Sequence, residues 1–182
     1  MGRCPGGFAE FGLMDQTDAI PVPPALSWEE AGAIPLTFMV VHDMLVAQGN
    51  LKPGEWLLVT GVSAGVGVAA LQAAKAMGAK VIGTSGSAEK LERLKTLGLD
   101  VAIQTRKSDF QDAVMKATGG KGVDLVVNNV GGSVFAECVR CLAFEGRLAT
   151  VGYVDLVLQA PIDLQALQLH EQAELHHTRN DG

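Results

Sequence analysis

A chain of 182 residues is the size of one ordinary domain. With 48% apolar and 19% charged residues it can bury a real core, which excludes a disordered acidic chain. Lys and Arg number 14 against 20 Asp and Glu, a net charge of -6, so there is no basic footprint for nucleic acid or an anionic membrane and small or apolar partners are expected.

In chain order, Gly6 to Leu13 alternates like a strand, and Pro21, Pro23 and Pro24 impose an extended connector. Ser27-Trp28-Glu29-Glu30 has the form of a capping box and predicts a short helix running toward Pro35. A second helix is expected from Thr37 to Gln48, closed by Gly49, with Lys52-Pro53-Gly54-Glu55 as a turn. The pattern then alternates between strands and helices. Trp56 to Thr60 is a short apolar run of the kind buried on both faces of a parallel sheet, followed by a glycine-rich turn and a helix over Val66 to Met77. Lys80 to Thr84 is the second strand, and Ser87 caps a helix carrying Leu91, Leu94 and Leu97 on one face. Val101 to Ile103 is a third strand. Ser108-Asp109-Phe110-Gln111 reads as another capping box, opening a helix that runs out at Thr118, and Val123 to Val127 is a fourth strand. A helix over Ser133 to Ala143 and a strand over Gly146 to Gly152 complete the series, and a frayed helix is expected after Asp163. Parallel neighbours need crossovers, and crossover helices cover both faces. The expected fold class is therefore α/β, a doubly wound parallel sheet of the Rossmann type.

The three cysteines, Cys4, Cys138 and Cys141, do not form a disulfide framework, and a reducing compartment is expected. Cys138 and Cys141 have the spacing of half a zinc site, but no second pair completes it, so structural thiols and no metal are expected. The amino terminus has neither the basic start and apolar core of a secretory signal nor a myristoylation pattern, and the apolar runs are too short to span a bilayer. A soluble, cytoplasmic protein is the resulting expectation.

The chemistry is expected at the first strand-to-helix turn, Gly61-Val62-Ser63-Ala64-Gly65-Val66-Gly67. Such a turn places a pyrophosphate on the amino end of a helix, where free N–H groups and the helix dipole favour negative charge. Against the G-x-G-x-x-G register, Val62 and Ala64 occupy the first two glycine positions and Gly67 the third. The preceding strand and following helix supply the confirming context. At the end of the second strand, where an NAD-selective fold offers an acid, the chain reads Gly83-Thr84-Ser85-Gly86-Ser87-Ala88-Glu89-Lys90. Hydroxyls and a lysine there suit a 2′-phosphate, so NADPH is the expected cofactor.

These residues resemble the medium-chain dehydrogenase/reductase superfamily, and within it the zeta-crystallin-like NADPH:quinone oxidoreductases. The matching pieces include Gly7-Phe8-Ala9-Glu10-Phe11, Leu51 to Glu55, the glycine turn, Ala73 to Ala79, Thr118 to Asp124, Val130-Gly131-Gly132 and Gly146-Arg147-Leu148, in order, across residues 6 to 165. The resemblance implies a complete protein almost twice as long, with a GroES-like catalytic domain on both sides of the dinucleotide domain, so that the chain reads as truncated. It divides the chain into a remnant of that domain and linker over 1–36, a Rossmann dinucleotide-binding domain over 37–165 and a divergent tail over 166–182.

By the same resemblance, Ser63, Ala64, Gly65 and Val66 face the pyrophosphate, and Ser85, Gly86 and Lys90 the 2′-phosphate. Thr105 stands where many members have a tyrosine, with Arg106 following it. Asn128, Asn129 and Val130 lie along the adenosine and ribose edge, and Val151, Gly152 and Tyr153 near the nicotinamide. Val40-Val41-His42 replaces the family's Thr-Ala-aromatic, and Leu36 stands where zinc-dependent relatives have a cysteine ligand, which favours the zinc-free branch. His42 is expected to pack and Tyr153 to wall the pocket. No catalytic residue is assigned. The implied function is hydride transfer from NADPH to a quinone or α,β-unsaturated carbonyl, with a homodimer possible in the intact form. The alternatives are a non-catalytic NADP(H)-binding or dimerising module and an enoyl-thioester reductase of the same superfamily.

Overall fold

The computed structural model describes residues 8–151. The expected helices over Trp28–Ala33 (α1) and Pro35–His42 (α2) lead to a central unit built of β1 (Trp56–Thr60), α3 (Gly65–Ala76), β2 (Lys80–Ser85), α4 (Ala88–Lys95) and β3 (Val101–Gln104). It continues through α5 (Gln111–Ala117), β4 (Val123–Asn128), α6 (Phe135–Arg140) and β5 (Leu142–Thr150). The five strands form one parallel sheet in the order β3-β2-β1-β4-β5. β1 is central: the chain winds outward through β2 to β3, then crosses back to lay β4 on the other side of β1. That reversal opens a crevice at the carboxyl ends of the strands.

Because side chains alternate along a strand, β1 feeds two cores. Leu57 and Val59 join Ala70, Leu71 and Ala74 of α3 and Val41 of α2 on one face, while Leu58 joins Ile82, Phe110, Val114 and Cys138 on the other. Leu57, Leu58 and Val59 are fully buried, which is why this strand is an unbroken apolar run.

The amino ends of the strands are held by three carboxylates. Asp124 accepts the Trp56 N–H at 2.7 Å, and Asp100 accepts the Val81 N–H at 2.7 Å and Lys75 Nζ at 2.8 Å. Arg147 of β5 donates through both terminal nitrogens to Glu55, at 3.0 and 2.7 Å, and through Nε to the Gly49 carbonyl at 2.8 Å. This guanidinium fork ties β5 to the turn that launches β1.

Several expectations are corrected. No strand forms over residues 8–13; Phe8, Phe11 and Leu13 are exposed, and no described strand pairs with them to satisfy their backbone. The single helix expected over Thr37–Gln48 is α2 followed by a wider π-helical turn over Asp43–Gln48, a winding that buries Met44 and Leu45 while Val46 stays exposed. The Ser108 capping box does not form. Asp109 is engaged by Thr105, and the Gln111 N–H is capped instead by Glu137, 26 residues away in sequence, at 2.8 Å. The helix expected to reach Ala143 ends at Arg140, because β5 already begins at Leu142 and is irregular, with Leu142 opposite Val123 but Arg147 opposite Leu125. Leu97 lies beyond α4 and is partly exposed. The helix expected after Asp163, together with Gly152, Tyr153 and Cys4, lies outside the described residues. Among the described residues, no helix is long and apolar enough to cross a membrane.

The Glu55 carboxyl is held below its ordinary value of 4.5, chiefly by its hydrogen bonds from Arg147, with burial opposing. A depressed folded-state value means that the stabilisation is complete above about 4.5 and fades as the pH falls through the lowered value. Glu55→Gln is therefore expected to lower stability at neutral pH by about 1 to 2 kcal/mol. Urea melts at successively lower pH should show the gap between variant and parent closing in acid.

Candidate functional site

The site is built from the carboxyl ends of β1, β2 and β4. Gly61 leaves β1 with φ of 62°, a left-handed conformation that glycine adopts without strain. The chain then makes a tight turn, with the Val62 N–H donating to the Thr84 carbonyl at 2.9 Å and the Ala64 N–H to Gly61 at 3.0 Å. α3 starts at Gly65, and no side chain caps its amino end. Its leading N–H groups are thereby left to a ligand or solvent.

Each small residue in the turn has its own reason. A Cβ on Gly67 would lie 2.6 Å from the Gly61 carbonyl oxygen and 2.7 Å from Val62 Cα, so glycine is what lets α3 approach the turn. A Cβ on Gly65 would meet nothing within 4 Å, which leaves room above the helix start. Val62, at the first glycine position of the motif, is fully buried and packs over Gly83, where a Cβ would fall 2.6 Å from Val62 Cγ1. The valine points into the core, so its side chain does not obstruct the turn.

At the tip of β2, Ser85 and Ser63 share a hydrogen bond of 2.8 Å between their hydroxyls, and the Ser87 N–H donates to Ser85 Oγ at 3.3 Å. Ser87 caps α4 by accepting the Lys90 N–H at 3.3 Å, as expected. A cleft of about 520 Å³ opens here, lined by Ser63, Ser85, Gly86, Lys90, Thr105, Arg106, Lys107, Phe110 and Val130 among others. It brings together three cations, Lys90, Arg106 and Lys107, and among the described residues no carboxylate lines it. Lys90 also borders a second depression of about 490 Å³, which contains Arg93.

The end of β4 forms the inner wall. Asn128 is fully buried and its amide is engaged within the loop: Oδ1 accepts from Thr60 Oγ1 and from the Val130 and Gly131 N–H groups, each at 3.1 Å, and Nδ2 donates to the Gly131 carbonyl at 2.9 Å. Asn128 therefore shapes the loop, and only Val130 of the three expected edge residues lines the cleft. Asn129 donates its N–H to Thr60 Oγ1 at 3.0 Å and Nδ2 to the Thr60 carbonyl at 3.1 Å, while its Oδ1 is buried without a hydrogen-bond partner. Val151, its N–H on the Asn128 carbonyl at 3.0 Å, borders a separate depression of about 270 Å³ with Val40, Met44 and Thr150.

Residue-by-residue, the structure places Ser63, Ser85, Gly86, Lys90, Thr105, Arg106 and Val130 around one cleft, puts Ala64, Gly65 and Val66 at the start of α3, and sets Val151 apart. Lys107 and Phe110 were not anticipated. The adjacent basic pair immediately after β3 was a readable signal for Lys107, whereas Phe110 looked like part of a helix cap.

The cradle fits a dinucleotide in two respects: an uncapped helix start with open space at Gly65 and a cationic rim with no acid among the described residues that line it. Among the described residues no three His, Cys, Asp or Glu side chains are grouped to hold a metal, and Leu36 is an exposed leucine. Cys138 and Cys141 are buried on the sheet face; burial pushes the Cys138 thiol far up and the Cys141 thiol to about 12, so neither offers a thiolate. His42 is exposed on an apolar groove with Ile34, Phe38 and Met39, not packed as expected.

The strand order and this crevice define a Rossmann domain of the dinucleotide-binding type. The family model described as Zinc-binding dehydrogenase matches residues 65–178, more than half of the chain, and the chain belongs to that family, within the medium-chain dehydrogenase/reductase superfamily. It is 34% identical over 149 residues to the Quinone oxidoreductase-like protein 2 homolog of Nematostella vectensis, covering 81% of this chain and 40% of that protein. Among solved structures, the mycobacterial protein Rv1454c complexed with NADPH superposes with a TM-score of 0.82 at 31% identity, over 92% of this chain and 51% of that one. The CurK enoyl reductase gives a TM-score of 0.68 at 29% identity, over 88% and 55%. The chain thus spans roughly half or less of the length of these proteins.

The contrast between the two glycines is testable. Gly67→Ala is expected to destabilise the fold by about 1 to 3 kcal/mol through backbone overlap, whereas Gly65→Ala, with open space around it, leaves the thermal melt within error of the parent.

Proposed function

We propose that the chain is the cofactor-holding part of a zinc-independent, NADPH-dependent reductase of quinones or α,β-unsaturated carbonyls. The observation that carries this reading is the rim at the tip of β2, where Lys90, Arg106 and Lys107 converge and no described acid awaits a ribose 2′-hydroxyl. The relative solved with NADPH and the quinone oxidoreductase-like relative support the same assignment.

When bound, NADPH supplies a hydride to an electron-poor carbon. The chain's residues bind and orient. The N–H groups at the start of α3, over Ser63, Ala64, Gly65 and Val66, receive the pyrophosphate; Ser85, Lys90, Arg106 and Lys107 receive the 2′-phosphate; and Phe110 and Val130 give the adenine apolar walls. Val151 is assigned to the nicotinamide end, and orienting the bound cofactor is this chain's part in catalysis. The free thiols of Cys138 and Cys141 suit a cytoplasmic setting, and the remaining substrate-binding part belongs to the length that relatives have beyond this span. A homodimer is the proposed assembly of that longer form.

A second reading, reduction of an enoyl thioester, is favoured by the likeness to the CurK enoyl reductase. The two share the cofactor site and differ only in the acceptor.

Calorimetric titration tests the shared part. NADPH is expected to bind more tightly than NADH, and Lys90→Ala to weaken NADPH about tenfold or more while changing NADH less than about twofold, the scale of one charge-assisted phosphate contact. Equal binding of the two, or tighter NADH, removes the 2′-phosphate assignment. Consumption of NADPH with a quinone, an enone and an enoyl thioester then separates the readings, and binding without turnover on any of them favours a non-catalytic module.

A further inference from the structure

Arg106 and Lys107 reach the cleft from a loop, whereas Lys90 stands on a helix. A long cation on a free loop recognises phosphate weakly, because ordering the loop and the side chain offsets the bond formed. Two features hold this loop. The first is a seat. A Cβ on Gly86 would lie 2.5 Å from Arg106 Nε and 2.6 Å from Cγ, so the arginine stem rests on bare backbone at the tip of β2. Gly86 is not among the glycines with positive φ, so its conformation does not demand glycine. What the missing side chain provides is the space that Arg106 fills.

The second is a clasp. Thr105 Oγ1 donates to Asp109 Oδ1 at 2.5 Å and accepts the Lys107 N–H at 2.9 Å, while the Thr105 N–H donates to the Ser85 carbonyl at 3.0 Å. One threonine thereby closes the loop on itself and ties it to β2. It also engages the Asp109 carboxylate, which does not line the cleft despite lying three residues from Arg106.

We propose that Gly86 and the Thr105–Asp109 pair are positioning residues for cofactor specificity: they hold the Arg106 and Lys107 cations at the 2′-phosphate of the dinucleotide and keep the neighbouring carboxylate away from it. This rests on the reading that the cleft takes NADPH. The three atoms nearest a methyl added at Gly86 all belong to the Arg106 side chain, so the arginine is what it displaces first.

The experiment measures dissociation constants for NADPH and NADH on the full chain and on Gly86→Ala, Arg106→Ala, the double variant, Thr105→Val and Thr105→Ser, with a thermal melt of each. Expected for Gly86→Ala is an unchanged melt, NADPH weakened about tenfold as in Arg106→Ala, and NADH altered less than about twofold. The double variant should be no weaker than Arg106→Ala, because the glycine has nothing left to position. Thr105→Val should lower the preference for NADPH, and Thr105→Ser, which restores the hydroxyl, should recover it. Unchanged NADPH binding in Gly86→Ala, equal loss of both cofactors, or additive losses in the double variant overturns the role given to Gly86. Equal preference in Thr105→Val and the parent, or a loss that serine fails to rescue, overturns the clasp. A parent chain that binds NADPH no better than NADH fails the cofactor reading itself and takes this inference with it, an outcome visible before any variant is made.

Discussion

The contact on which the site depends is the approach of α3 to the end of β1. Gly67 rests against the Gly61 carbonyl and the Val62 backbone at distances that leave no room for a Cβ. With that approach in place, Val62 fills the space over Gly83, and Gly61 and Val62 reach β2 through Thr84, whose hydroxyl accepts at 3.2 Å and whose carbonyl accepts at 2.9 Å. Thr60, one residue earlier, reaches β4 through Asn128 and Asn129. A run of three residues thus fixes the relative positions of the three strand ends that make the cleft. A cofactor site that spans several strands needs such a hub, because a displacement of about 1 Å at any one wall degrades the fit at the others.

Charge is distributed along the strands with a direction that net composition conceals. Glu55, Asp100 and Asp124 sit at the amino ends, where each accepts a backbone N–H or a cation. Lys90, Arg106 and Lys107 sit at the carboxyl ends, facing the cleft. A chain of net charge -6 therefore still presents a positive patch to an approaching phosphate. These three acids are engaged in holding the sheet and lie at the opposite end of the strands from the cleft.

The three inner strands were legible because burial on both faces leaves a strand few polar positions, and Trp56–Thr60 and Val123–Asn128 stand out on that ground. The glycine turn and the Lys90 side of the cleft followed from the same alternation. What escaped depends on contacts between distant residues. Glu137 caps α5 from 26 residues away, so the local Ser108 pattern misled. The early onset of β5 follows from pairing with Val123, not from its own residues. The Gly6 to Leu13 alternation is a strand pattern whose described portion finds no partner, and pattern without pairing does not make a strand. Asn128 looked like a ligand contact and is a loop brace, since only the folded chain shows its amide already engaged.

The burial of Cys138 and Cys141 has a consequence for chemical self-protection. Quinones and enones are Michael acceptors, and the protein groups most readily alkylated by them are thiolates. On the function proposed above, the chain works amid molecules able to modify it. Here both described cysteines are shut inside the sheet's helix-covered face, with thiols that do not ionise near neutrality. Packing thus shuts these two thiols away from an electrophile for as long as the layer of helices over them stays closed.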